Sequence, residues 1–155
     1  MNSRNKSYRL VVCLTIALSL VAVSLVGCGE KEPTISEVVM SMAVDDNGRP
    51  LDNTTVFTPD TGALFCSFKL SNLPVGSRLK AELIYIDGEE VEETGPNYVV
   101  WENTGTIERK GIGYSYTVFT HPPIPGYEYQ WPRGDYKIVL SVDEQEKAVA
   151  YFKVE

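Results

Sequence analysis

The sequence predicts an all-β fold, an antiparallel sandwich of about seven to eight short strands, and three observations carry the prediction. Beyond residue 34, apolar side chains recur at every second position in run after run. Turn-forming residues fall between the runs, and none of the runs fits the stripe of an amphipathic helix.

Taken in order, Val38, Met40, Met42 and Val44 alternate with Val39, Ser41 and Ala43, and Asp45-Asp46-Asn47-Gly48 supplies the turn that follows. In Leu64-Phe65-Cys66-Ser67-Phe68-Lys69-Leu70 the residues Leu64, Cys66, Phe68 and Leu70 share one phase. Asn72-Leu73-Pro74-Val75-Gly76 ends that strand. Leu79, Ala81, Leu83 and Tyr85 then alternate with Lys80, Glu82 and Ile84, up to a turn expected at Asp87-Gly88. Pro132-Arg133-Gly134-Asp135 is read as another turn, after which Tyr136, Ile138, Leu140 and Val142 form an inward row. Asp143-Glu144-Gln145-Glu146 turns the chain into a closing strand that carries Ala148, Ala150, Phe152 and Val154. Such half-buried strands fit two antiparallel sheets, each burying one face.

Gly134-Asp135-Tyr136-Lys137-Ile138 resembles the Gly-x-Tyr-x-Cys run around the tyrosine corner of immunoglobulin-like domains, with Ile138 where the disulfide cysteine would stand. The resemblance implies that the Tyr136 hydroxyl bonds back to the chain a few residues upstream. Cys66 lies on the inward phase of the counterpart strand without an oxidised partner, and the buried Trp of antibody domains is missing from the next strand. The implied fold is therefore an immunoglobulin-like or fibronectin-III-like β-sandwich, not an antibody-type domain.

Ahead of this domain, Arg4, Lys6 and Arg9 precede an apolar stretch of 17 residues from Leu10 to Val26, which ends in Leu25-Val26-Gly27-Cys28. This resembles the lipobox of bacterial lipoproteins. The resemblance implies that Cys28 receives a diacylglycerol, that residues 1–27 are cleaved as a signal peptide, and that the new amino terminus is acylated, palmitate being such an acyl group. The chain then divides into 1–27 (signal peptide), 28–34 (lipidated tether) and 35–155 (β-sandwich domain). Glu30-Lys31-Glu32-Pro33 makes the tether short, about 20 Å at ~3.4 Å per extended residue. A single membrane-spanning anchor is the other reading of the stretch, which is at the short end for a bilayer; Gly27 and Cys28 directly after it favour cleavage. Two or three acyl chains give stable attachment on the extracytoplasmic side of a membrane. Gly29, standing where the family's inner-membrane retention signal places Asp, points to the outer membrane in a host that has two.

Loss of residues 1–27 leaves 128 residues, enough for one domain, and moves the formal charge from −7 to −10. That balance argues against nucleic acid and against lying flat on anionic lipid, because both need a basic face. With Cys13 lost and Cys28 acylated, Cys66 has no disulfide partner and reads as a buried small hydrophobe.

No catalytic set emerges. His121, the only histidine, opens a proline-rich connector and has no nucleophile motif to serve. One Cys and one His are too few for zinc. Asp45, Asp46, Asn47 and Asp52 offer hard oxygens for a calcium ion, yet they are also what a turn demands. Glu89, Glu90, Glu92 and Glu93 read as a charged guard on an edge strand. Arg133-Gly134-Asp135 spells an integrin-binding tripeptide but already has a place in a turn.

The candidate ligand-binding residues are aromatic: Trp101, Tyr127, Tyr129 and Trp131. The last three recur at every second position, so an extended segment would project them from one side as a platform for sugar rings or a partner protein. The expected protein is thus a lipid-anchored, non-enzymatic binding or assembly module of the bacterial cell envelope, without cofactor or metal. Its partners would be the membrane, through Cys28, and an envelope protein; a carbohydrate or cell-wall ligand on the aromatic platform is the alternative.

Overall fold

The computed structural model describes residues 31–89, 97–120, 124, 126–127 and 129–155. Eight strands are present among them: β1 (Thr34–Ser41), β2 (Val56–Phe57), β3 (Ala63–Ser71), β4 (Arg78–Gly88), β5 (Tyr98–Thr106), β6 (Ile112–Thr120), β7 (Gly134–Val142) and β8 (Gln145–Val154). They form two sheets, ordered β1-β3-β6 and β2-β8-β7-β4-β5. The lipobox and the rest of the leader lie outside the described residues, as do His121 and the glutamates 90, 92 and 93.

The period-two rows fall where the sequence places them. Leu64, Cys66 and Phe68 of β3 face Leu83 of β4 and Tyr136, Ile138 and Leu140 of β7 in one dry interior, closed by Phe152 and Val154 of β8. The chain crosses between sheets through 72–77 and 107–111, with Asn72 and Gly76 both at positive φ. β7 and β8 form a hairpin whose two turn residues, Asp143 and Glu144, have φ of 49° and 68°, between the paired Val142 and Gln145.

Three details differ from the sequence expectation. The first strand ends at Ser41, so Met42 is exposed, and a bulge between Ser36 and Val39 puts Glu37 at φ 50°. Neither Asp87-Gly88 nor Gly134-Asp135 lies in a turn: they are the end of β4 and the start of β7, where Asp87 pairs with Asp135 and Gly88 with Gly134. The sheets are not wholly antiparallel, since the two-residue β2 runs parallel to β8.

Candidate functional site

The strands leave two loop-bearing ends. One holds Thr34, the 72–77 and 107–111 crossings and the Asp143-Glu144 turn. The other is built where β4 runs out and β7 begins. Gly88 and Gly134 approach so closely there that a Cβ on Gly134 would stand 2.4 Å from the Asp87 carbonyl oxygen, and one on Gly88 2.2 Å from that of Arg133. Only glycine permits this contact.

The approach carries Glu89 across to Arg133. The Glu89 N–H donates to the Arg133 carbonyl at 2.9 Å, and Glu89 Oε2 accepts from the Arg133 N–H at 3.1 Å and the Tyr127 hydroxyl at 3.2 Å. The guanidinium is a looser neighbour, with Nε 3.8 Å from Glu89 Oε1. Tyr85 lies underneath, its hydroxyl 2.8 Å from the Glu89 carbonyl and 3.1 Å from that of Arg133. Burial and then the Glu89 charge push Tyr85 up to about 12, and the same two causes raise Tyr127. Both phenols therefore stay protonated at neutral pH and serve as hydrogen-bond donors.

The Tyr136 hydroxyl donates to the Pro132 carbonyl, four residues upstream, at 2.7 Å. This is the corner implied by the resemblance. Its ring stacks on Phe152 at 5.0 Å and meets Tyr85 and Trp131 edge-on at 5.0 and 6.3 Å. Trp131 ties the segment to the turn before β3, its backbone N–H donating to Pro59 O at 2.8 Å and its indole Nε1 to Thr61 O at 2.7 Å.

This anchoring undoes the common platform. Trp131 is 1% exposed, Tyr127 is half-buried and Tyr129 is 82% exposed. The Tyr127 N–H donates to Ile124 O and the Gln130 N–H to Tyr127 O, bonds that extended chain does not make, so the alternation that would align the rings is lost. Trp101 lies elsewhere, on β5 opposite Leu83 and packed against the core. Of the four expected ligand residues, only Tyr127 and Tyr129 reach the surface of this end.

What the end offers instead is polar. Two shallow grooves of about 470 and 370 Å³ meet at Glu89 and Arg133, one running toward Asp87, Asp135 and Lys153, the other toward Asp60, Gln130 and Tyr127. Lys153 pairs with Asp135 at 3.3 Å. The Glu89–Arg133 cluster was not legible because Glu89 reads as one of a run of glutamates. Its only sequence signal is a glycine beside each partner, Gly88 and Gly134.

The Asp45–Asp52 loop behaves as a turn. Asp45 Oδ1 accepts from the N–H groups of Asn47 and Arg49 at 2.9 and 2.8 Å, and Asp52 from Ser41 Oγ, Thr54 Oγ1 and the Met42 N–H. Among the described residues no three Asp, Glu, His or Cys side chains gather as a metal site. Cys66 is free and fully buried, and that burial pushes its thiol up to about 12.

No family model and no curated protein matches the chain. Solved structures do. An immunoglobulin-like protein from Pseudomonas aeruginosa is similar over 82% of this chain and 99% of its own length, at 12% identity and a TM-score of 0.50. The fold is immunoglobulin-like. An alkylpurine DNA glycosylase from Pseudomonas fluorescens, bound to DNA containing an abasic site analog, is similar over 80% of this chain, also at 12% identity and a TM-score of 0.50. This chain spans only 30% of that enzyme's length. At such identities the likeness extends to the sandwich and not to the residues at its ends.

Proposed function

We propose that the chain is a lipid-anchored, non-enzymatic module of the bacterial cell envelope that binds or assembles with another envelope protein through the Glu89–Arg133 end of its sandwich. The observation that carries this reading is the position of that end along the strands. The polypeptide enters β1 at Thr34, which pairs with Ser71, whereas the grooves lie at the opposite tips of the strands, about 25–30 Å away at ~3.3 Å per residue. A lipid on Cys28, six residues before Thr34, would hold one end at the bilayer and present the other to the periplasm or the exterior.

A protein partner suits this surface better than a polysaccharide. Trp131, the strongest stacking ring, is committed to the core, and what remains outside is Tyr129 and the charged pairs Glu89–Arg133 and Asp135–Lys153, of the kind found at polar interface rims. The formal charge of −7 argues against DNA, the ligand of the glycosylase.

The test is chemical crosslinking in membranes carrying the full chain, followed by identification of what is captured. The native chain should yield one stoichiometric partner, reduced at least tenfold by Arg133→Glu together with Tyr129→Ser. Capture unaffected by those changes would overturn the assignment of this end. A Cys28→Ser chain that is processed and lipidated as before would overturn the anchor.

A further inference from the structure

The Thr34 end of the sandwich has a groove of its own, about 340 Å³, between the two crossings that join the sheets. Leu70, Leu73 and Ile107 make its apolar wall and pack against the core behind it. Backbone fixes that wall in place, because the Gly76 N–H donates to Ile107 O at 2.8 Å and the Ile107 N–H to Ser77 O at 2.9 Å.

Each crossing also brings an apolar side chain into solvent. A tight turn, closed by the Ser77 N–H on Pro74 O with Gly76 at φ 93°, carries Val75 at its tip, 60% exposed. Ile112, opposite Ser71 where β6 begins, is 70% exposed. Arg109 lines the groove and Lys110 follows it, both exposed, and among the described residues neither stands within ion-pair distance of a carboxylate. Of the acids at this end, Glu108 shares the groove. Asp143 and Glu144 belong to the β7–β8 turn, on the other side of β4 from the 107–111 crossing, and Asp143 Oδ1 is engaged by the Arg78 N–H at 2.8 Å.

An apolar wall beside free cations and protruding apolar side chains suits a partner that is apolar within and anionic at its surface. The course of the chain says which partner that is. The polypeptide enters β1 at Thr34, paired with Ser71 and so next to Leu70, and Cys28 lies six residues upstream, about 20 Å at ~3.4 Å per extended residue. The bilayer is the body that an anchor at Cys28 delivers to this groove.

We infer that the Thr34 end is a seat for anionic phospholipid, in which Val75 and Ile112 enter the interface, acyl chain lies along Leu70, Leu73 and Ile107, and Arg109 and Lys110 hold phosphates. The inference rests on the lipid anchor proposed above, which supplies proximity but no orientation. The seat supplies orientation. With the cations on the β5–β6 side and Asp143 and Glu144 on the β7–β8 side, the domain leans its β5–β6 edge toward the lipid, and its formal charge of −7 keeps the rest from lying flat. Two cations and two apolar side chains hold a soluble domain only weakly; tethering makes the contact intramolecular and therefore persistent.

The experiment uses the full, processed chain in vesicles of phosphatidylethanolamine with about one quarter phosphatidylglycerol, bearing an environment-sensitive fluorophore on Val75→Cys, Ile112→Cys or Tyr129→Cys. Cys66 is buried and takes no label. Lipid spin-labelled at the headgroup should quench the first two probes several-fold more than the third. Arg109→Glu with Lys110→Glu should bring the Val75 probe down to the Tyr129 level while the chain still floats with the vesicles and keeps its β-sheet circular dichroism. Vesicles of phosphatidylcholine alone should do the same to the chain with Arg109 and Lys110 intact. Quenching at Val75 no greater than at Tyr129, or unchanged by either manipulation, would overturn the seat. A Val75 signal that follows protein density and not lipid composition would give the groove to a second copy and overturn it too. Failure of the anchor reads differently: the chain then does not float at all, and the seat falls with it. None of these readouts depends on Glu89 or Arg133.

Discussion

Cys66 shows how one side chain ties stability to pH. Its thiol sits between Met40 and Thr117 on the inner face of β3, wholly out of water, and burial alone pushes it up to about 12. In the unfolded chain it ionises near the ordinary thiol value of about 8.5. Between those values the folded chain holds a proton that the unfolded chain has lost, so the free energy of unfolding falls as pH rises, by up to about 1.4 kcal/mol per pH unit for one group. Denaturant midpoints at pH 8, 9 and 10 should therefore decline in the native chain and decline less in Cys66→Ala, whose lower starting stability leaves the slope interpretable. Equal slopes would mean that the thiol is not protected. The alternation of Leu64, Cys66 and Phe68 was sufficient to place this residue, because a strand with one buried face records its inward row directly in sequence. Tyr136 was legible for a different reason: its glycine-led motif specifies a local bond, and that bond to Pro132 is present.

At the scale of elements, legibility followed backbone regularity. β3, β4, β7 and β8 appear in sequence as rows of apolar residues because each pairs along its length and presents one face to the interior. Tyr127, Tyr129 and Trp131 defeated the same reasoning, since alternation has meaning only in extended chain, and here the Tyr127 N–H bonds to Ile124 O and the Gln130 N–H to Tyr127 O, with Trp131 buried and Tyr129 exposed. Asp87-Gly88 misled in the opposite way. Its glycine serves close packing between β4 and β7, and composition cannot distinguish that need from a turn's. The contact makes a sharp prediction. In Gly134→Ala the new methyl would stand 2.4 Å from the Asp87 backbone oxygen at φ 153°, with the buried Tyr85 ring at 2.8 Å and the Gly88 Cα at 3.0 Å on its other sides. The loss of stability should be roughly 3 kcal/mol or more. Gly62→Ala, with nothing within 4 Å, is the control and should be near neutral in the same denaturation assay. A Gly134→Ala chain as stable as that control would show that β4 and β7 do not meet this closely.

Across the whole molecule, the two ends of the sandwich differ in what they expose and in what they connect to. The end that receives the chain at Thr34 also carries Val75 and Ile112 among its exposed apolar residues, with Arg109 and Lys110 in the crossing before β6. The far end carries Tyr129, Arg133 and Glu89. If Cys28 bears lipid, the short tether keeps the first end within about two nanometres of the bilayer, at ~3.4 Å per extended residue, and the strands themselves set the distance of the second. Cysteine labelling in intact membranes reads this directly, because Cys66 is buried and contributes no background. Tyr129→Cys should react with a bulky, membrane-impermeant maleimide at nearly the rate of a free thiol, and Val75→Cys several-fold more slowly, with the difference abolished once detergent removes the bilayer. Both positions are exposed in the folded domain, so folding alone cannot produce the contrast. Equal rates before detergent would mean that the sandwich does not stand on its Thr34 end, and a slower Tyr129→Cys would turn it over.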